Sequence, residues 1–134
     1  MQTATISLVV SILAGACGQL MMKAGLLELG PLNSVFENLI DGFVLPPILG
    51  LTWIAAGIAG YFMAVMLWVG VLKVYPLSTA YPLLSLGYIV VYAGSAWWPA
   101  VDEAFSSQKT LGVFLIIIGV IIVTRFPGDK RQHE

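Results

Sequence analysis

The sequence predicts an all-α membrane protein: four transmembrane helices, with a short interfacial amphipathic helix between the first and second. Three observations predict it. Of 134 residues, 59% are hydrophobic and only 10% charged, and the mean hydropathy is +0.94. A soluble domain carries about 25% charge, so too little polar side chain is present here to cover a water-facing surface. The 13 charged residues also cluster, leaving residues 1–22, 42–72, 74–101 and 110–124 free of charge. About 20 apolar residues cross the hydrocarbon, and an ionised side chain at its centre costs roughly 3 kcal/mol or more. Finally, these runs lack the alternation of membrane barrel strands, which leaves helices as the spanning element.

The elements follow in order. The first span is placed at 3–23. No basic segment precedes it, and its apolar run is too long for a cleavable signal, so it is expected to stay as a helix. An amphipathic helix is expected over 34–45, capped by Asn33-Ser34. Val35/Phe36, Leu39/Ile40 and Phe43/Val44 recur every four residues, with Glu37, Asn38, Asp41 and Gly42 on the other face. Pro46-Pro47 stops it. Such a helix is a surface tether, or a gate beside a lateral opening to lipid. The second span is placed at 48–72 and the third at 76–97. The fourth, 108–126, reaches full length if Ser107 caps it and Lys109 and Arg125 snorkel at its ends. Pro127-Gly128 ends it before a polar tail, 127–134, and residues 1–134 read as a single membrane domain. Lys73, Arg125, Lys130 and Arg131 fall on the side of the termini, against Lys23 and Lys109 on the other, which favours cytoplasmic termini.

Several function classes drop out. A net charge of −1 without a basic patch predicts no nucleic-acid partner. Cys17, the single cysteine, forms no internal disulfide or cysteine-built metal site and reads as a packing residue. The one histidine, His133, lies in the tail. No nucleophile–base set, metal-ligand cluster or phosphate-binding glycine loop is present, so neither an enzyme nor a cofactor or metal is expected. No carboxylate lies inside any span, and a membrane-embedded proton relay normally needs one.

The helix faces carry the remaining signal. Ser7, Ser11, Gly15, Gly18 and Met22 form a stripe on the first span, and Gly50, Gly57, Gly60 and Ala64 another on the second. Small residues let helices approach closely in lipid. Gly112 and Gly119 do the same on the fourth, where a second copy is one conceivable partner. The third span is unusual. Ser78, Tyr81, Ser85, Tyr88, Tyr92 and Ser95 step by three and four, making a hydroxyl stripe through an apolar helix. Hydroxyls in lipid need partners, so the stripe faces other helices or lines a wet cavity that contacts a polar headgroup. Pro82 frees the carbonyl of Ser78 and can kink the helix there. Gln19 and Lys23 share a face of the first span. Lys23, Lys73 and Arg125 border spans, where a cation sets topology or receives an anion such as phosphate. Glu103 reads as a solvated loop charge.

Four patches resemble a known family. They are Gly18-Gln19-Leu20-Met21-Met22-Lys23; Gly60-Tyr61-Phe62 through Leu67-Trp68; Ala80-Tyr81-Pro82-Leu83-Leu84-Ser85-Leu86; and Glu103 with Leu111-Gly112 and Leu115 to Val120. They touch all four spans in order, and the third is the most specific. Together they resemble the four-helix small multidrug resistance fold of the drug/metabolite transporter superfamily. Within it they look most like the subunits of the aminoarabinose-phosphoundecaprenol flippase. Drug-exporting members carry a glutamate three residues before the glycine corresponding to Gly18. Here that position is Gly15, and the lipid-flippase branch also lacks the acid. The resemblance therefore implies a flippase that moves a sugar-modified undecaprenyl phosphate between leaflets of the bacterial inner membrane. It also implies a homodimer, or a heterodimer with a related four-helix subunit. Tyr81, Ser85, Tyr88 and Tyr92 become candidates for sugar contact, and Gln19, Lys23 and Lys73 for the phosphate. The alternatives are a small quaternary-ammonium exporter and an anchor subunit for a polyprenyl-phosphate glycosyltransferase.

Overall fold

The computed structural model describes residues 2–41, 48–101 and 104–125, and all regular structure among them is helical. Six helices run in order: α1 (Gln2–Leu29), α2 (Leu32–Asp41), α3 (Ile48–Leu72), α4 (Leu77–Leu84), α5 (Leu86–Trp97) and α6 (Ser107–Arg125). With α4 and α5 forming one span, four segments are long and apolar enough to cross a membrane. The chain is a multi-pass membrane protein.

The expected spans need three adjustments. α1 extends to Leu29, six residues past the predicted end, and so takes Glu28 into the candidate span Thr3–Leu29, whereas the sequence predicts no carboxylate in any span. Lys23 ends the charge-free run, but nothing near it breaks a helix. The stop comes at Gly30, whose φ of 75° ends the helix left-handed, followed by Pro31. α2 begins at Leu32, because the Pro31 carbonyl accepts from the Ser34 and Val35 amides. The Ser34 hydroxyl donates back to the same carbonyl at 2.7 Å, so Asn33-Ser34 lies inside the first turn. The last four residues of the predicted interfacial helix, 42–45, and Pro46-Pro47 fall outside the described residues, as do Glu103, Pro127-Gly128 and the tail. α6 starts one residue early, with the Ser106 carbonyl accepting from the Thr110 amide and hydroxyl. Ser106, rather than Ser107, therefore holds the capping position.

The third span is interrupted once, at Ser85, three residues after Pro82. Ser85 keeps right-handed helical angles, φ −63° and ψ −19°. The interruption is one residue long, and the predicted kink is a local loosening of the hydrogen-bond ladder.

Packing centres on α1 and α3, which run antiparallel and touch along most of their length. Glycines set the seam. A Cβ on Gly57 would lie 2.6 Å from the Gly18 carbonyl oxygen and 2.8 Å from the Met22 nitrogen. A Cβ on Gly25 would lie 2.6 Å from the Gly50 carbonyl oxygen. These backbones meet because neither side has a side chain in the way. α5 packs across α1, where Leu20, Ala24 and Val101 form a buried cluster with Val91 and Trp98 against it. Trp98 meets Trp53 of α3 edge-on at 5.5 Å. α6 lies on the outside against α4 and α5 and has no buried residue.

Candidate functional site

Nearer the termini the same helices enclose space instead of filling it. α1 presents Ser11, Gly15 and Gln19, three residues four apart and so on one face. α3 presents Tyr61, Val65 and Trp68, again one face. The third span presents Tyr81, Ser85 and Tyr88. Together with small and apolar residues between them, these line a cavity of about 450 Å³. That volume is in the range of small-molecule sites. None of the lining residues is charged.

The cavity is held open by composition. Ser11, Gly15 and Ala16 fill little volume on the α1 side, and Gly87 does likewise on α5. The opposing rings brace the walls: Trp68 and Tyr81 meet edge-on, with centroids 6.0 Å apart and planes at 66°. Toward the termini, Leu8 and Val71 are buried and the Thr5 and Tyr75 hydroxyls are hydrogen-bonded at 2.9 Å. Tyr88, in the middle of its span, is 63% exposed, and Tyr81, one turn from the start of that span, is 56% exposed. The cavity therefore reaches the surface at the side of the bundle.

Its polar groups fall into two kinds. The Ser11 hydroxyl donates to the Leu8 carbonyl at 2.8 Å, and the Ser85 hydroxyl donates to the Pro82 carbonyl at 2.6 Å. Both hydroxyls keep lone pairs available. The Gln19 amide and the phenols of Tyr61, Tyr81 and Tyr88 have no hydrogen-bond partner among the described residues, yet none is sealed from solvent. A ligand entering from the side would find both donors and acceptors unoccupied.

The predicted site residues divide. Gln19, Tyr81, Ser85 and Tyr88 come together in this cavity. Tyr92 does not line it. Its hydroxyl pairs with that of Thr110 at 2.7 Å and its ring meets Phe105 edge-on, tying α5 to the start of α6. Ser95 is buried and bonds the Tyr92 carbonyl within its own helix, and Ser78 is exposed. The hydroxyl stripe is thus continuous along the helix, but only its middle serves the cavity. Lys23 is half-buried on α1, one turn beyond Gln19, and Lys73 is exposed in the turn after α3. Neither lines the cavity. Tyr61 and Trp68 were not singled out from the sequence as site residues. Their seven-residue spacing, with Val65 between, puts both on one face of α3, but on a helix apolar all round that spacing does not single them out.

Comparison with known proteins decides the family. No family model matches the chain, and no solved structure matches it. Curated sequences do. A probable 4-amino-4-deoxy-L-arabinose-phosphoundecaprenol flippase subunit ArnF of Shewanella sediminis is 36% identical, covering 84% of this chain and 81% of that protein. The protein of the same name from Photorhabdus laumondii is 34% identical over 87% of this chain and 92% of its own length. That from Proteus mirabilis is 30% identical over 99% of this chain and all of its own. The chain belongs to the ArnF flippase-subunit family. The cavity-lining patch Tyr81 to Ser85 lies in the segment whose resemblance to these subunits was the most specific in the sequence.

Proposed function

We propose that this chain is one subunit of a flippase for undecaprenyl phosphate bearing a 4-amino-4-deoxy-L-arabinose-type sugar. It moves the lipid from the cytoplasmic to the periplasmic leaflet of the bacterial inner membrane. The chain acts as a single membrane domain with cytoplasmic termini. It works with a partner subunit, either a second copy or a related four-helix chain. Its work is transport and not catalysis.

The observation that carries this reading is a charge-free, side-opening cavity of unpartnered polar groups in a chain of the ArnF family. A lipid carrier has a polar headgroup and a tail with no reason to leave the bilayer. A lateral mouth at Tyr81 and Tyr88 lets the headgroup enter while the tail stays in hydrocarbon. Gln19, first a candidate for the phosphate, lines the same cavity as Tyr81, Ser85 and Tyr88, and all four contact the sugar side of the headgroup. Lys23 and Lys73, near the ends of their spans, attract the phosphate as it approaches or leaves. Tyr92 supports the site by fixing α5 against α6.

A proton-coupled drug exporter would need an intramembrane carboxylate to carry the exchanged proton, and none of the cavity residues is acidic. The test reconstitutes the chain, alone and with a related four-helix subunit, into proteoliposomes. Appearance of labelled sugar-lipid in the opposite leaflet supports the reading. Proton-driven uptake of quaternary ammonium ions, with no lipid movement, would overturn it.

A further inference from the structure

The cavity poses a chemical problem on the reading just proposed. An amino sugar carries an ammonium group at neutral pH. A desolvated ammonium needs a counter-charge or an equivalent, and the walls offer no carboxylate. They do offer aromatic rings in number: Tyr61, Trp68, Tyr81 and Tyr88 all line the same space. The face of an aromatic ring attracts a cation, tryptophan most strongly, and the attraction grows when water is excluded.

The geometry of one pair is suited to this. Trp68 and Tyr81 stand at 66° to each other with centroids 6.0 Å apart, forming a corner. The edge-on contact covers part of one face of one ring and leaves the partner ring's faces uncovered by that contact, so an ammonium beside the pair can meet a ring face rather than a positive ring edge. The unpartnered Gln19 amide and Tyr88 hydroxyl line the same cavity and can accept hydrogen bonds from an ammonium.

We infer that the Trp68–Tyr81 corner is the specificity determinant for the positively charged amine of the lipid's sugar, holding it by ring faces in place of a carboxylate. The inference rests on the flippase reading and goes beyond it by naming the group recognised and the residues that recognise it. It accounts for how a cavity without an acidic residue could select a cationic headgroup. It also predicts that neutralising the amine, with the rest of the lipid unchanged, removes the preference.

The experiment measures binding to the assembled protein in nanodiscs. The probes are undecaprenyl phosphate carrying the free amino sugar and the same lipid with the amine N-acetylated. The free amine is expected to bind at least about tenfold more tightly. Trp68→Leu should bring the two affinities within about twofold of each other, the free-amine lipid losing more than the N-acetyl lipid. Trp68→Phe should keep part of the preference. Should Trp68→Leu fail to fold, Tyr81→Leu should likewise narrow the preference to within about twofold, with both affinities lowered because Tyr81 also contacts the sugar. Equal affinity of the wild type for both lipids would overturn the inference and leave the flippase reading standing. So would a preference untouched by the folded leucine variant. Absence of binding by either lipid would overturn the flippase reading itself, and this inference with it.

Discussion

Helix α1 behaves differently in two parts of its length. From Gly18 toward Leu29 it lies against α3 with backbones in contact, and Leu20 and Ala24 are buried under α5. From Ser11 to Gln19 it also carries small residues, yet there it walls a cavity of about 450 Å³. Small side chains alone do not decide the outcome. Where glycine on α1 faces glycine on α3, the gap closes and dispersion contacts are made across it. Where the small face meets Tyr61, Trp68, Tyr81 and Tyr88, the rings brace one another and the space stays open. One region holds the bundle together, and the other leaves a cavity.

The comparison is broken most severely at its sealed end. In Gly57→Val the new Cβ would lie within 3 Å of the Gly18 carbonyl oxygen and the Met22 nitrogen, both backbone atoms that cannot swing aside. The helices must separate along the seam. A loss of more than about 2 kcal/mol is expected, read as a lowered Tm in detergent, and lipid transport should fall with it.

At the hollow end the expectation reverses. Tyr81→Ala removes a ring that is more than half exposed and whose contacts include one edge-on partner, Trp68. Such a pair contributes about 1 kcal/mol, so the protein should fold with a modest drop in Tm. Transport of the sugar-lipid should fall about tenfold or more. A stability loss as large as that of Gly57→Val, or unchanged transport in folded protein, would put Tyr81 among the packing residues.

Tyr92 lies between these extremes and sharpens the boundary. It sits on the same stripe as Tyr81 and Tyr88, but its hydroxyl is already bonded to Thr110. Tyr92→Phe removes that bond and keeps the ring against Phe105. Hydrogen bonds between membrane helices average about 0.6 kcal/mol, so a small loss of stability is expected. Sugar-lipid transport in liposomes should stay within about twofold of wild type.

This residue also marks how far the sequence could be read. The four spans were legible because charge is excluded from hydrocarbon, and the second span matches its helix end to end. The extension of α1 to Leu29 was not, because Lys23 ends an apolar run without breaking a helix. Gln19, Tyr81, Ser85 and Tyr88, singled out by helical spacing and family resemblance, line one cavity. Spacing also placed Tyr92 beside them, since periodicity gives a face but not what packs on it at each level. The end of α5 meets α6, and the middle of the span does not face it in the same way. Tyr61 and Trp68 were missed for the converse reason. On a helix apolar all round, an aromatic pair seven residues apart looks like any other lipid-facing surface until its neighbours are known.

The smallest effect is expected on α6, and it tests the rule drawn from the seam. Gly112 and Gly119 repeat the seven-residue spacing of Gly18 and Gly25 and of Gly50 and Gly57. Yet a Cβ at either would meet nothing within 4 Å, and no residue of α6 is buried. If a glycine matters only where another backbone lies against it, Gly119→Ala should be harmless to the isolated chain. Alanine also favours the helix by up to about 1 kcal/mol, so a slight gain is the expected direction. The measurement is the Tm of monomeric protein in detergent, beside Gly57→Val under the same conditions. A drop approaching that of Gly57→Val would mean that α6 has a close backbone neighbour within the chain. The division between a glycine-sealed α1–α3 seam and an uncovered outer helix would then have to be redrawn.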